Sequence, residues 1–168
     1  MDFRHDILPL KNIIFRTALR IILNREEAED IVQDTLMKLW ERRDELEKVA
    51  NLEAFALTMA RNLAIDRKGK MDNQHVSLEE EEHDRPDDRH GYTDSGVMRQ
   101  ETRSFINDII NALPEKQRTI LQLRDIEGKS YKEIANVLSI SESDVKVTLF
   151  RARNEMKEKI LQKKSFFL

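Results

Sequence analysis

The stretch that decides the fold is SYKEIANVLSISESDVKVTLFRAR, residues 130–153. Ser130, with Glu133 three positions on, forms a capping box for a short helix through Leu138. Ser-Ile-Ser follows as a tight turn, and Ser141 with Asp144 caps a longer helix. Short helix, tight turn and capped helix make the helix-turn-helix pattern. On the second helix, at about 100° per residue, Leu149, Ala152, Met156 and Ile160 stay within about 60° of Val145 and form a core stripe. The opposite side presents Ser143, Lys146, Val147, Phe150, Arg151 and Asn154. In this motif the second helix enters the major groove of DNA, where Lys or Arg reads guanine and an apolar group meets a thymine methyl. Any amphipathic helix has a charged, solvated face, but such a face has little use for Val147 and Phe150. Ser143, Lys146, Val147 and Arg151 are therefore the candidate base readers.

Outward from this motif, the whole chain of 168 residues reads as helix around one polar middle. It is 39% hydrophobic and 36% charged, with four Gly and three Pro, a balance that favours helices over a turn-rich β fold. Charge is uneven: residues 1–69 sum to −1, residues 70–100 to −5 and residues 101–168 to +3. The basic C-terminal third suits an element that meets phosphates. The middle, MDNQHVSLEEEEHDRPDDRHGYTDSG, lacks apolar periodicity and reads as a flexible acidic linker.

In the N-terminal half, Leu10, Ile14, Ala18 and Ile21 recur at helical spacing, and Asn24 with Glu27 signals a new helix from Arg25. There Ile31, Val32, Leu36, Leu39 and Trp40 form an apolar stripe, while Glu26, Asp30, Gln33 and Met37 order a polar face. A third helix is expected from Asn51, burying Leu52, Phe55, Met59 and Leu63 and stopping at Gly69 with a left-handed cap. Its last turns gather Arg61, Asn62, Ile65, Asp66, Arg67 and Lys68 into a basic, amide-bearing tip. After the linker, Phe105, Ile109 and Ala112 mark a fourth helix, and Pro114 suits the first turn of the next.

There is no cysteine, so no disulfide framework, thiolate metal site or cysteine nucleophile is expected, and a reducing, cytoplasmic setting fits. His5, His75, His83 and His90 lie in a terminus and the linker without a rigid carboxylate partner, and no Gly-rich phosphate loop is present. No enzyme activity, metal or cofactor is expected. No stretch reaches the roughly 20 apolar residues of a membrane span, and the N-terminus has no signal-peptide pattern.

Three collinear blocks carry a family resemblance: AEDIVQDTLMKLW at 28–40, FALTMARNLAIDRKGK at 55–70, and ALPEKQRTILQLRDIEGKSYKEIANVLSISESDVKVTLFRAR at 112–153. They resemble the conserved blocks of bacterial RNA polymerase sigma factors of the extracytoplasmic-function (ECF) type, within the sigma-70 family. The resemblance implies two small all-α domains: a helical bundle, region 2, over 1–70, and a helix-turn-helix domain, region 4, over 101–168, with 71–100 as linker. It implies that the face of Glu26, Asp30, Gln33, Asp34 and Met37 docks on a coiled coil of the polymerase β′ subunit, with the β subunit as a further contact. Asn51, Arg61, Asn62, Arg67 and Lys68 would then open and read the minus-10 element, where a base is flipped from the stack at a cost of a few kcal/mol. Arg124, Ser143, Lys146, Val147, Thr148, Phe150 and Arg151 would read the minus-35 duplex, Arg124 on phosphate.

By the same resemblance the partners are core polymerase, promoter DNA and an anti-sigma factor. The family commonly has Gly-Thr-Val where this chain has Ser143-Asp144-Val145, so its promoter is not copied from relatives. Negative charge in the linker is a candidate mimic of the nucleic-acid backbone. A LuxR-like regulator explains residues 130–153 equally well but leaves the ordered faces of the N-terminal helices without a role.

Overall fold

The computed structural model describes residues 1–74 and 96–166, and every regular element among them is helical. The all-α class expected from the sequence holds there, and residues 75–95, with the acidic run Glu79–Glu82, lie outside the described part. Two short helical turns, Phe3–Ile7 and Leu8–Leu10, lead into α1 (Lys11–Ile22), α2 (Arg25–Glu41), the single turn α3 (Arg43–Leu46) and α4 (Leu52–Gln74). The second half comprises α5 (Gly96–Asn111), α6 (Glu115–Leu121), a wide turn at Gln122–Ile126, α7 (Tyr131–Leu138) and α8 (Glu142–Phe166).

Local chemistry explains the breaks. Leu23 takes a left-handed conformation at φ 58° and ends α1, and Asn24 Oδ1 then accepts from the Glu27 amide at 3.0 Å to start α2. The Glu27 carboxylate is engaged by Arg67. Ser130 and Glu133 make both hydrogen bonds of the capping box. Ser139, also left-handed at φ 56°, turns the chain, and Ser141 Oγ accepts from the Asp144 amide at 3.0 Å. Gly128, at φ +72°, is the position here that needs a residue without Cβ. Pro114 sits just outside α6, in extended conformation, one place earlier than the first-turn position expected.

Several sequence expectations are corrected. Gly69 does not stop the third helix, because α4 continues to Gln74. Glycine inside a helix costs only about 1 kcal/mol, and Met71 beyond it packs on the N-terminal core. Residues 71–74 and 96–100, assigned to the linker, are helical. Leu52, Phe55, Met59 and Leu63 are half-buried at the rim of α4, and its centre is instead the row Ala56, Ala60 and Ala64. Side chains this small let neighbouring helices approach closely. Trp40, expected in the core stripe, is 37% exposed, with Phe3 edge-on at 5.6 Å and the Arg43 guanidinium 4.2 Å from its ring centroid.

Two apolar clusters result. The first joins α1, α2 and α4 through residues such as Ile14, Ile21, Ile31 and Leu39. The second joins α6, α7 and α8 through Ile120, Leu123, Ile134, Val145 and Leu149, and it also takes in Ile13 of α1 and Leu57 of α4. Both α1 and α4 thus bury two faces. Burying a side chain such as Leu57 is worth about 1.5–3 kcal/mol, so the two halves are packed against each other rather than merely tethered.

Candidate nucleic-acid interface

The capped start of α8 sets its register. Val145, Leu149 and Ala152 are buried against α6 and α7, which turns Ser143, Lys146, Val147, Phe150, Arg151 and Asn154 outward. Val147 is 47% and Phe150 67% exposed, large apolar groups left in water beside two cations. Thr148 is not part of this strip. It is 5% exposed, and its hydroxyl donates to Asp144 Oδ1 at 3.1 Å. Four residues after Asp144 on the same helix, it falls on the inner side.

Asp144 looks out of place beside phosphates, but its charge is already matched. Lys116 Nζ donates to both carboxylate oxygens at 2.9 Å. That hydrogen bond, followed by the one from Thr148, holds the carboxyl below its usual range despite an opposing desolvation. Tyr131, which the sequence did not mark as functional, organises the other edge. The Arg124 guanidinium lies 4.3 Å and the Lys146 ammonium 5.3 Å from its ring centroid. Arg124 also donates to the Lys129 carbonyl at 2.9 Å. The only sequence signal for Tyr131 was an aromatic at the first position after a cap.

The candidates on the N-terminal half do not converge as one patch. Asn51 is exposed at the start of α4, where its Oδ1 accepts from the Ala54 amide at 3.0 Å and caps the helix. Arg61, Asn62, Arg67 and Lys68 follow along α4, the last of them about 25 Å away at 1.5 Å per residue. Asn62 is open to solvent. Arg61 is 18% exposed, with a terminal nitrogen 4.0 Å from Glu115 of α6. Lys68 is half-buried; its pKa is lowered by burial first and by the nearby Arg118 second.

Arg67 turns the other way and ties α4 to α2. It donates to Glu27 at 3.2 Å and to Asp30 and Asp34 at shorter range. Asp30 and Asp34 belong to the expected docking face, so one guanidinium joins two sets that stand apart in the sequence. Along that face Glu26, Asp30, Gln33 and Met37 are exposed, Met37 at 61%, and Asp34 is half-buried. Among the described residues no group of His, Cys, Asp and Glu is arranged to hold a metal, and no helix is long and apolar enough to cross a membrane.

Comparison with known proteins assigns this arrangement. Residues 7–73 match the family model for sigma-70 region 2, and residues 106–156 match the model for sigma-70 region 4. The RNA polymerase sigma-H factor of Pseudomonas aeruginosa is 30% identical, over 96% of this chain and 83% of its own length. The ECF RNA polymerase sigma factor SigL of Mycobacterium tuberculosis is 29% identical, over 83% of this chain and 78% of its own. The sigma factor RpoE of Bartonella quintana, solved in complex with the anti-sigma factor NepR, superposes with a TM-score of 0.73 at 26% identity, covering 94% of this chain and 95% of that one. A helix-turn-helix regulator of the LuxR kind is not favoured, because the N-terminal half has a region 2 match of its own. With a recognition helix presenting cations and apolar groups outward, and an N-terminal bundle carrying region 2, the chain belongs to the sigma-70 family as an ECF-type sigma factor, which directs RNA polymerase to promoters.

Proposed function

We propose that the chain works as two units, region 2 around α1–α4 and region 4 around α5–α8, each with its own share of the promoter. Region 4 reads the minus-35 duplex with Ser143, Lys146, Val147, Phe150 and Arg151, and Arg124 supports it on phosphate. The observation that carries this reading is the outward strip on α8, in which Val147 and Phe150 stay exposed between Lys146 and Arg151 while Asp144 is neutralised by Lys116. Bidentate cation contacts suit guanine, and the two apolar groups suit thymine methyls. Thr148, on the inner side, serves the helix start rather than a base.

Region 2 docks on polymerase through Glu26, Asp30, Gln33, Asp34 and Met37 of α2. It opens the minus-10 element with Asn51, Arg61, Asn62 and Lys68, Arg67 standing between the two surfaces. Backbone contacts and stacking there offset the unstacking of a flipped base. The protein makes no covalent chemistry of its own and acts in the cytoplasm, where polymerase is. An anti-sigma factor as partner is supported by the likeness to a sigma factor solved in complex with one.

Run-off transcription of fragmented genomic DNA by core polymerase, with and without the protein, tests the reading. Discrete RNA 5′ ends that appear only with the protein, and share two short upstream motifs, are expected. If Lys146→Ala and Arg151→Ala leave those starts and their sequence preference unchanged, the assigned face of α8 is wrong.

A further inference from the structure

Asp144 stands in the first turn of α8, the part of a recognition helix that reaches base edges. At about 100° per residue it falls about 20° from Arg151 and about 60° from Val147 around the helix, so it borders the outward strip. Its side chain is 40% exposed, and that of its partner Lys116 is 43% exposed. Its carboxyl is held below the usual range by the Lys116 hydrogen bond first, with the Arg151 charge a smaller contributor. At neutral pH the group is a carboxylate.

A carboxylate is an acceptor only, with about four lone-pair sites on its two oxygens. Lys116 Nζ occupies one site on each oxygen at 2.9 Å, and the Thr148 hydroxyl takes a second on Oδ1 at 3.1 Å. Among the described residues nothing takes the second site on Oδ2. The Lys116–Asp144 pair is neutral as a whole, which removes the repulsion that a lone carboxylate would meet between DNA phosphates. What stays open is a charge-assisted acceptor beside the donors of Lys146 and Arg151.

In the major groove such an acceptor discriminates. Guanine shows it two acceptors, N7 and O6, and thymine shows O4, whereas cytosine shows the N4 amino donor alone. Adenine pairs its N6 donor with an acceptor at N7, which suits an amide better than a carboxylate. We infer that Asp144 is a specificity-determining residue of this factor, its Oδ2 accepting from the N4 amino group of a minus-35 cytosine while Lys116 orients it and cancels its charge. The inference rests on the reading of the α8 strip as the minus-35 surface. Asp144, Val147 and Arg151 then make one row of acceptor, apolar group and donor. At about 1.5 Å per residue the row is about 10 Å long, or about three base-pair steps of about 3.4 Å. It suits a cytosine and a guanine about three steps apart, with a thymine methyl between them.

The test is transcription by core polymerase with the full-length protein from a promoter whose minus-35 element is randomised, the RNA being sequenced to score each base. The wild type prefers cytosine at one position by roughly tenfold. Asp144→Asn keeps the size of the side chain and adds a donor, so the preference at that position moves from cytosine to adenine and the other positions keep theirs. Lys116→Met lowers output from all sequences alike and leaves the cytosine preference in place.

A cytosine preference that survives Asp144→Asn overturns the inference. So does an equal loss over all sequences, which would make Asp144 a helix-start residue only. A preference lost in Lys116→Met but kept in Asp144→Asn gives the base pair to Lys116 through its guanine. Lys146→Ala and Arg151→Ala on the same library keep the two readings apart. If they change preferences at positions of their own while Asp144→Asn changes none, the strip stands and the role of Asp144 alone falls.

Discussion

Arg67 of α4 binds Asp34 of α2, and the same guanidinium also holds Asp30 and Glu27, so one cation fixes three carboxylates on the helix assigned to polymerase docking. Its side chain is 22% exposed, between the regimes of a surface pair, worth about 0–1 kcal/mol, and a buried pair, worth about 3–5 kcal/mol when broken. Arg67→Gln, which leaves three acids facing one another, is expected to cost about 1–2 kcal/mol. Urea denaturation measures it. A loss that vanishes in high salt would mean long-range charge alone, whereas the short hydrogen-bonded contacts imply that most of it persists.

Val147 and Phe150 separate folding from reading. Both are exposed, so Val147→Ser and Phe150→Ser should shift stability by no more than about 0.5 kcal/mol. If they meet thymine methyls, each costs about 1–3 kcal/mol of promoter affinity when assembled with polymerase. Leu149→Ala, two places from Val147 but 2% exposed, is the contrast: about 2–5 kcal/mol of stability. Thermal melts with filter binding on one set of proteins check all three.

Gly69 lies inside α4 with open space where a Cβ would go and no left-handed backbone. Gly69→Ala is therefore expected to stabilise the chain by about 0.5–1 kcal/mol, chiefly by restricting the unfolded state. A lower melting temperature would instead support the helix-ending role that the sequence suggested.

Arg16 of α1 donates two hydrogen bonds to the Glu127 carboxylate, at 2.7 and 2.8 Å, and this pair sets an acid limit on the contact between the two halves. Burial pushes the Glu127 carboxyl up, but hydrogen bonds from Arg16 and then Gln122 outweigh it, and its pKa lies below the ordinary 4.5. A carboxylate depressed in the folded state contributes stability that is complete above its unfolded pKa and lost as pH falls through the folded one. The stability gap between wild type and Glu127→Gln should be flat from about pH 6 to 8 and close only below about 4.5. A gap that closes near neutrality would assign the titration to another group.

Much of this protein was legible because it is written in short-range rules. The capping box at Ser130, the N-cap at Ser141, the 3.6-residue recurrence of Val145, Leu149 and Ala152, and the exposed Val147 and Phe150 follow from neighbours within one or two turns. Those rules suffice to place a helix-turn-helix and its outward face. Helix propensity, however, is a local property, and Gly69 shows its limit: the local signal for a stop was outweighed by Met71 packing on a core that only the fold assembles.

What the sequence by itself determined is which stretches form the longer helices, the amphipathic stripes of most of them and the residue types on each. Only the tertiary structure decided which charges are free. Arg61, Arg67 and Lys68 read alike along one helix, yet the fold sets Arg61 beside Glu115, commits Arg67 to three carboxylates of α2, and desolvates Lys68 near Arg118. Those partners lie tens of residues away, and Coulomb and desolvation energies depend on distance in space rather than along the chain.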